Sequence, residues 1–148
     1  MSTASIAVDL TLAELCAADL KKGFLETLSS LADADMSYEE ALKVFQSRLR
    51  AGQRTYVAKI DDRVVGTATL LVERKFIHHG GLVGHIEDVS VHKEFQRRGI
   101  GTALVRHITE EARKLGCYKV ILNCFEHVAP FYLRLGYRRH DLGLRIDW

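Results

Sequence analysis

Apolar residues recur every three or four positions through the first part of the chain, which is the spacing of one face of an α-helix. The residues at this spacing are Leu12, Leu15, Cys16, Leu20, Phe24, Leu28 and Leu31. Thr11 and Glu14 stand where a capping box would close the first helical turn. The pattern therefore predicts a first helix over residues 12–30.

Three later segments also have helical spacing. Ser37 opens a second capping box, and the apolar face that follows it ends at Gly52. A third helix is predicted over residues 101–115, before a glycine, and a short fourth one over residues 128–135, again before a glycine.

Alternation of apolar and polar residues marks the strands. Residues 54–60 and 63–72 alternate and are rich in β-branched side chains, with Asp61 and Asp62 between them, which predicts a hairpin. Residues 75–81 form a loop at its end. A strand is predicted over residues 118–124, and a last strand pair that ends at Trp148.

The stretch of residues 83–102 is the one around which the chain is organised. Its alternation slips by one residue near Glu87–Val89, which is typical of a bulge or a splayed strand. Gly99 and Gly101 then precede a helix, where free backbone N–H groups beside arginines suit a pyrophosphate. The glycine spacing matches neither the dinucleotide fingerprint nor a Walker loop.

The order of these elements predicts an α/β fold with a mixed, mostly antiparallel sheet flanked by helices. The chain has 148 residues, of which 47% are hydrophobic and 27% charged, which is typical of one globular domain. The net charge of +2 is small, so we expect no nucleic-acid partner. No apolar run is long enough to span a membrane, and residues 1–10 lack the features of a signal peptide.

The cysteines and histidines give no metal signature. Cys16, Cys117 and Cys124 are odd in number and show no CxxC spacing, which fits a reducing compartment and a cytoplasmic location. The histidines around His78 and His85 match no zinc spacing, so we expect surface or substrate-facing side chains and no metal.

The succession strand, QRRGIGT, helix, strand and a helix carrying Phe131-Tyr132 resembles the GNAT family of acyl-CoA-dependent N-acetyltransferases. The resemblance implies a GNAT fold with splayed central strands as a single domain over residues 1–148, and acetyl-CoA as co-substrate. It implies cofactor contacts from the splayed strand, the loop amides, the next strand and the last helix. These residues are Val89, Ser90, Val91, Gln96, Arg97, Arg98, Gly99, Ile100, Gly101, Thr102, Asn123 and Tyr132.

The segments KFIH, GHIEDV, CYK and FYLRLGY are more specific, and they are similar to the glucosamine 6-phosphate N-acetyltransferases within that family. The similarity implies N-acetylation of D-glucosamine 6-phosphate on the route to UDP-N-acetylglucosamine. Its implied substrate-binding residues are Ser29, Lys75, Phe76, Ile77, His78, Glu87, Asp88, Tyr118, Lys119 and Arg145. Lysines suit a phosphate, and a carboxylate such as Glu87 suits sugar hydroxyls.

The resemblance also implies catalytic roles for Tyr132, Glu87 and Asn123. Tyr132 matches the family's tyrosine near the coenzyme A sulfur, where its hydroxyl protonates or hydrogen-bonds the thiolate. Asn123 stands where related enzymes carry an acid, and an amide is not a base. Either Glu87 removes the amine proton through water, or Asn123 orients the reactants and solvent takes the proton. Cys124 is expected to be a buried strand thiol rather than a nucleophile.

Two departures from the family pattern concern Val128, where many members have an asparagine that touches coenzyme A, and the chain end. Similar enzymes supply a basic residue across a dimer interface at the position of Asp147, and Arg145 is the expected substitute. A homodimer with a shared site is therefore implied. Two alternatives stay open: a GNAT enzyme for another amine, such as a polyamine or peptide, and a catalytically silent coenzyme A-binding module.

Overall fold

The framework of the protein is a five-stranded sheet with the strand order β1-β2-β3-β4-β5. This computed structural model describes residues 9–148, so most of the segment tested for a signal peptide lies outside it. The strands are β1 (Thr11–Glu14), β2 (Arg54–Ile60), β3 (Arg63–Arg74), β4 (Leu82–Val91) and β5 (Cys117–Ile121). The first four pair antiparallel, and β4 pairs parallel with β5. The predicted α/β class and mixed, mostly antiparallel sheet are confirmed.

In residues 9–148, the helices α1 (Phe24–Leu28), α2 (Tyr38–Arg50), α4 (Ile100–Lys114) and α5 (Ala129–Arg134) flank the sheet. A single turn, α3 (Ile77–Gly80), lies within the predicted loop of residues 75–81, and His78 and His79 in it have left-handed φ angles. The second capping box is present as predicted. Ser37 Oγ accepts the Glu40 N–H at 3.2 Å, and Glu40 Oε2 accepts the Ser37 N–H at 2.8 Å. These two bonds satisfy donors that an open helix end would leave unpaired.

The predicted first helix over residues 12–30 is wrong. Thr11–Glu14 is an edge strand that pairs with β2, with Thr11 opposite Lys59 and Glu14 opposite Tyr56. A 3₁₀ turn (Ala17–Lys21) follows, and only α1 is helical after it. Pairing with a neighbouring strand overrides the local helical pattern because it satisfies the same backbone groups and also buries Leu15.

The predicted last strand is also wrong for this chain, because no strand follows Ile121 among the residues that the structure describes. The segment after Tyr137 is exposed throughout. Its apolar residues, Leu142, Leu144, Ile146 and Trp148, alternate with polar or small ones, and each is at least 73% exposed. The alternation is that of a half-buried strand, but the chain provides no surface to bury it.

The two faces of the sheet have different covers. On one face, α4 packs on a core that includes Leu70 and Ile86. On the other face, α1 and α2 cover a core that includes Val57 and Val64. Helix α1 contacts β3 and the Ser90 end of β4, so the face opposite α4 is left open toward Glu87 and Lys119, which are exposed.

Helix α1 is fastened to the sheet by buried polar contacts. The Thr27 hydroxyl donates to the Val64 carbonyl at 3.0 Å, and the Thr27 carbonyl accepts the Ser90 hydroxyl at 2.6 Å. Thr27 is fully buried. The two bonds therefore connect α1 to both β3 and β4.

We expect Thr27→Val to lower the free energy of unfolding by about 1–2 kcal/mol, because the Val64 carbonyl would then be buried without its donor. Urea unfolding followed by circular dichroism measures this change. Thr11→Val on the exposed edge strand β1 is the matched control, and we expect it to leave stability within about 0.5 kcal/mol. Equal midpoints for Thr27→Val and the wild type would contradict the role of this bond.

Candidate active site

A β-bulge in β4 stands at the centre of the candidate site. Thr67 lies opposite Ser90, whereas Thr69 lies opposite Glu87, so β4 carries one extra residue between these pairs. Asp88 in this bulge has a left-handed φ of 51°. The predicted slip near Glu87–Val89 is therefore confirmed.

The parallel strands β4 and β5 diverge just before this bulge. His85 lies opposite Ile121 in the last pair between them, so beyond that pair the β5 side of β4 has no strand neighbour in the described part of the chain. The result is a crevice between the end of β4 and the segment after β5. A crevice of this kind exposes backbone groups that a ligand with amide bonds can pair with.

The backbone of Val91 is turned toward this crevice. The His92 N–H donates to the Val65 carbonyl at 2.8 Å, which makes this a hydrogen-bonded pair. Because such pairs alternate along an antiparallel ladder, the N–H and carbonyl of Val91 point away from β3. The Gln96 side chain already donates to that carbonyl at 3.0 Å. The Val91 N–H is therefore the group left for a ligand.

The side chains of two predicted cofactor-binding residues are buried in the protein and do not face this crevice. The Ser90 side chain is buried beneath α1, where its hydroxyl is bound to Thr27. The Ile100 side chain is 1% exposed and packs with Ala58 and Val65. Of Ile100, only the backbone amide at the start of α4 is available to a ligand.

The loop before α4 has the backbone geometry of an anion-binding turn. Arg97 and Gly99 both have left-handed φ angles, 63° and 79°, and Gly99 is the N-cap of α4. The guanidinium of Arg98 lies 5.2 Å from the centre of the Phe95 ring. Thr102 follows in the first turn of α4. Free N–H groups and adjacent arginines at the start of a 15-residue helix favour a phosphate ligand.

Gly101 joins this helix start to the rest of the crevice. A Cβ built on Gly101 would lie 3.5 Å from the Phe131 ring and 3.6 Å from Val91 Cγ2. The beginning of α4, the end of β4 and helix α5 therefore meet at one point. The sequence pattern predicted this meeting only through the family resemblance.

Tyr132 of α5 lies close to this meeting point. The residue is 8% exposed, and its ring packs edge-on against Phe131 and Tyr137. Burial, with a smaller contribution from Cys124, raises the pKa of Tyr132 to about 12. No hydrogen bond recorded for residues 9–148 uses its hydroxyl, in contrast to the Tyr137 hydroxyl, which lies 2.6 Å from Thr109 Oγ1. The Tyr132 hydroxyl is therefore a protonated donor at neutral pH.

The open face of the sheet bears polar side chains beside the crevice. Gly84 faces Ala112 of α4, so by strand alternation His85 and Glu87 lie on the opposite, open face. Lys119 lies opposite Val83 and Ile121 opposite His85 in the parallel pair, so both share that face. Glu87 and Asp88 are exposed. The strand β5 ends at Ile121 and not at residue 124 as predicted, so Asn123 and Cys124 lie after it, and Cys124 is exposed and not a buried strand thiol.

Glu73 connects a lysine and a histidine on this face. Its carboxylate lies 2.7 Å from Lys75 Nζ and 2.9 Å from His85 Nε2. The hydrogen bond from Lys75, together with that from His85, lowers the pKa of Glu73. Lys75, predicted as a phosphate ligand, is therefore held in an ion pair. Sequence reasoning missed Glu73 because its contact with His85 depends on the register of β3 against β4.

The loop of residues 75–81 presents its apolar side chains to solvent. Phe76 is fully exposed and Ile77 is 64% exposed. The His78 ring lies 4.5 Å from the Tyr118 ring, so these two predicted substrate residues are brought together. Gly81 makes this possible, because a Cβ there would lie 2.7 Å from Tyr118 Cδ1. Lys119 Nζ lies 5.8 Å from the same ring.

Two further predicted substrate residues already have hydrogen-bond partners within the chain. The Ser29 hydroxyl, just after α1, donates to the Leu25 carbonyl at 2.9 Å. Arg145 lies in the exposed C-terminal segment, where Nε is 2.8 Å from Asp147 Oδ1. The structure does not bring Arg145 to the other substrate residues of its own chain.

Arg48 of α2 is a cation that the sequence analysis missed. Its Nη2 donates to Thr55 Oγ1 at 3.0 Å and to Thr69 Oγ1 at 2.7 Å. Arg48 and Asp88 line a cavity of about 90 Å³ between α1, α2 and the sheet. Through its bond to Thr69, Arg48 connects α2 to the position on β3 that lies directly opposite Glu87. The amphipathic pattern of α2 gave no signal for this role, since Arg48 is one of several basic residues there.

Residues 9–148 contain no group of three or more His, Cys, Asp or Glu side chains arranged to hold a metal ion. Within the same range, no helix has both the length and the apolar character needed to cross a bilayer.

Relatives of the chain agree on one family and one fold. A protein of Trypanosoma brucei brucei named glucosamine 6-phosphate N-acetyltransferase is 40% identical over 143 residues, which are 95% of this chain and 97% of that protein. The rice glucosamine 6-phosphate N-acetyltransferase 1 is 39% identical over 81% of this chain and 76% of its own.

Solved structures give the same result. The crystal structure of a Trypanosoma brucei acetyltransferase superposes with a TM-score of 0.88 at 40% identity, covering 95% of this chain and all of that one. The Arabidopsis thaliana glucosamine-6-phosphate N-acetyltransferase gives 0.89 at 27% identity, over 94% and 98% of the two chains. The family model described as acetyltransferase (GNAT) family matches residues 18–137. With its bulged β4 and its glycine-capped α4, the chain belongs to the GNAT acetyltransferase family.

Proposed function

We propose that the protein transfers the acetyl group of acetyl-CoA to the amine of D-glucosamine 6-phosphate, giving N-acetyl-D-glucosamine 6-phosphate. The observation that carries the proposal is the open sheet face, where Glu87, Asp88 and Lys119 lie beside the splayed crevice. Carboxylates suit sugar hydroxyls, and an ammonium group suits a phosphate. The names of the Trypanosoma brucei brucei and rice relatives support the same substrate.

Acetyl-CoA fits the crevice through groups of this chain. The Val91 N–H would donate a hydrogen bond to a carbonyl of the pantetheine arm, and the amides of Arg97 to Thr102 would hold the pyrophosphate. Gln96 braces this loop through its bond to the Val91 carbonyl. The crevice therefore offers a fixed track from the start of α4 toward Tyr132.

The reaction breaks the thioester C–S bond and forms an amide C–N bond. The amine attacks the thioester carbonyl, the Tyr132 hydroxyl donates a hydrogen bond or its proton to the departing sulfur, and the nitrogen loses one proton. The amide of Asn123 cannot take up that proton, so its role in this reaction is to orient the reactants through hydrogen bonds. Holding both substrates on one rigid sheet supplies much of the rate through orientation.

The substrate phosphate is expected near Lys119 and the loop of residues 75–81. Tyr118 and His78 form one wall, and Phe76 and Ile77 extend it into solvent. A fully exposed phenylalanine at this place indicates that a second surface completes the wall. The cation of Lys75 stays paired with Glu73 until a phosphate competes for it.

A homodimer would supply that second surface. The outer edge of β5 has no strand partner among the described residues, and beside it runs a groove of about 440 Å³ lined by Lys119 to Leu122 and by Arg113 of α4. The C-terminal segment has the alternation of a strand and no place to bury it. The C-terminal segment of one chain would pair as an added strand with the exposed β5 edge of the other chain. Arg145 of one chain would then reach the phosphate site of the other.

The proposed enzyme is a single-domain protein of the cytoplasm. We treat residues 1–148 as one GNAT domain with acetyl-CoA as co-substrate and without a metal. The product is a precursor of UDP-N-acetylglucosamine, and a cytoplasmic enzyme fits a chain with three free cysteines. Neither a nucleic acid nor a membrane is a partner in this scheme.

The deciding experiment measures thiol release from acetyl-CoA with glucosamine 6-phosphate, glucosamine, a polyamine and a peptide. We expect turnover with glucosamine 6-phosphate, and a kcat/KM for glucosamine about 10–100-fold lower because a charge-assisted contact contributes about 1.5–3 kcal/mol. Equal rates for the two sugars would remove the phosphate site. Faster reaction of the polyamine or peptide would support another GNAT class, and no thiol release would support a silent binding module.

A further inference from the structure

Glu73 and His85 form a hydrogen-bonded carboxylate–histidine pair that has no role in the acetyl transfer as described above. His85 lies on the open face, opposite Ile121 in the last pair before β4 and β5 diverge. Its side chain is 29% exposed and its Nε2 lies 2.9 Å from Glu73 Oε2. It stands two residues before Glu87 on the same face of the same strand.

The partner fixes the protonation of the imidazole. Glu73 is a carboxylate because the hydrogen bonds from Lys75 and His85 lower its pKa. An ionised carboxylate only accepts, so Nε2 must carry the hydrogen in this contact. In the neutral ring Nδ1 then has a lone pair. No hydrogen bond recorded for residues 9–148 uses that nitrogen, and the partial exposure of the ring lets water reach it.

The reaction needs such a group at this place. Asn123 lies at the position where related enzymes carry an acid, and it cannot accept a proton. A histidine held by a carboxylate is the usual device for accepting a proton at neutral pH.

We propose that His85, oriented by Glu73, receives the proton that the acceptor amine loses when it attacks the thioester. The amine nitrogen forms the C–N bond, the C–S bond breaks, and the nitrogen proton passes to His85 Nδ1 directly or through one water. The sulfur leaves as a thiolate that accepts a hydrogen bond from Tyr132, and solvent carries the proton from His85 to the released thiolate, so atoms and charges balance. This assignment rests on the proposed acetyl transfer.

The charged groups around His85 set the conditions of the test. Glu73 contacts it from β3, Lys75 reaches it through Glu73, and Glu87 and Lys119 share its sheet face on β4 and β5. We expect His85→Gln to lower kcat/KM about a hundredfold at pH 7.5, which is a usual loss for a general base. His127→Gln, an exposed histidine outside this cluster, is the matched control.

The pH dependence separates a proton acceptor from a structural residue. The substrate amine titrates identically with both proteins, so it cancels in the ratio of wild-type to His85→Gln rates. A protonated imidazole has no free nitrogen to accept another proton, so that ratio is expected to fall toward one as the pH is lowered. A ratio that stays constant with pH, or below about threefold throughout, would overturn the assignment.

Separate variants of Glu73 and Lys75 distinguish the roles of these two residues. Glu73→Gln is expected to lower kcat about tenfold, because the partial charge of an amide oxygen stabilises the imidazolium less than a carboxylate does. Lys75→Met should instead raise KM for glucosamine 6-phosphate and leave kcat unchanged. If Lys75→Met reproduced the kcat loss of Glu73→Gln, Glu73 would act through Lys75 and not through His85.

A spectroscopic measurement tests the same claim without turnover. Protein labelled with ¹⁵N-histidine is expected to show His85 with the hydrogen on Nε2 at pH 8, and Glu73→Gln to weaken that preference. A hydrogen on Nδ1 would overturn the assignment whatever the substrate. If the wild-type protein acetylates a different amine, the proposed substrate fails, while the pH-dependent rate ratio measured with that amine still decides the role of His85.

Discussion

Replacing Tyr132 with phenylalanine is expected to lower kcat about a hundredfold and to leave the dissociation constant for acetyl-CoA within about threefold. The side chain is 8% exposed and already packed against Phe131 and Tyr137, so the phenylalanine ring can keep those contacts. Only the hydroxyl is lost. A group that acts only when charge develops on sulfur changes turnover and not ground-state binding.

The pKa of Tyr132 indicates how that hydroxyl acts. At about 12 it is well above the ordinary thiol value of about 8.5, so complete proton transfer to a thiolate runs uphill. Donation of a hydrogen bond to the sulfur as the C–S bond stretches is therefore the main contribution. Since the raised pKa keeps the hydroxyl protonated, wild-type kcat should not decline from tyrosine ionisation up to about pH 11.

Tyr137→Phe is the matched control for this measurement. That hydroxyl lies in the same aromatic group but is bound to Thr109 Oγ1 at 2.6 Å, so it is a structural contact. Its removal should cost about 1 kcal/mol of stability and leave kcat nearly unchanged. Calorimetry of acetyl-CoA binding and steady-state kinetics on both variants make the comparison. A Tyr132→Phe enzyme with wild-type kcat would remove the hydroxyl from the mechanism.

The fold and the site differ in how far the sequence alone predicts them. The β2–β3 hairpin, α2, α4 and the β4 bulge follow from patterns within single segments, and each is present. A helix is wrongly predicted over residues 12–30 because Thr11, Glu14 and the spacing of the leucines fit a helical pattern. Pairing with β2 makes Thr11–Glu14 a strand instead. Local patterns cannot weigh a partner that is distant in the chain.

The missed site residues have a related cause. Glu73 meets His85 only because β3 and β4 pair with Leu71 opposite His85, which places Glu73 at the neighbouring position of the same face. Arg48 reaches Thr55 and Thr69 only because α2 crosses above those strands. Neither contact leaves a spacing in the sequence. By contrast, the left-handed backbone at Gly99 requires a particular residue type, so the loop that carries it is recognisable.

Deletion of residues 141–148 is expected to convert a dimer into a monomer that remains folded. The deleted segment carries Leu142, Leu144, Ile146 and Trp148, which bury little surface in their own chain. The three core clusters involve no residue beyond Tyr137, so the far-ultraviolet circular dichroism of the truncated protein should match the wild type. Sedimentation velocity measures the change of mass.

The deletion should also lower activity in a way that depends on the phosphate. If Arg145 of the partner subunit binds the substrate phosphate, its loss should reduce kcat/KM for glucosamine 6-phosphate about 10–100-fold and change that for glucosamine much less. Arg145→Ala in the full-length chain separates the two effects, because it should keep the dimer and show the same substrate-dependent loss.

The apolar face of the segment can be tested independently of its charge. Leu144→Asp together with Ile146→Asp places carboxylates on the row that would lie against the β5 groove, so dimerisation should be lost. Asp141→Asn, on the other row, is the control and should leave the dimer intact. A truncated protein that still sediments as a dimer would locate the interface elsewhere, and a monomeric wild type would require Lys119 and the loop of residues 75–81 to bind the phosphate without help from a second chain.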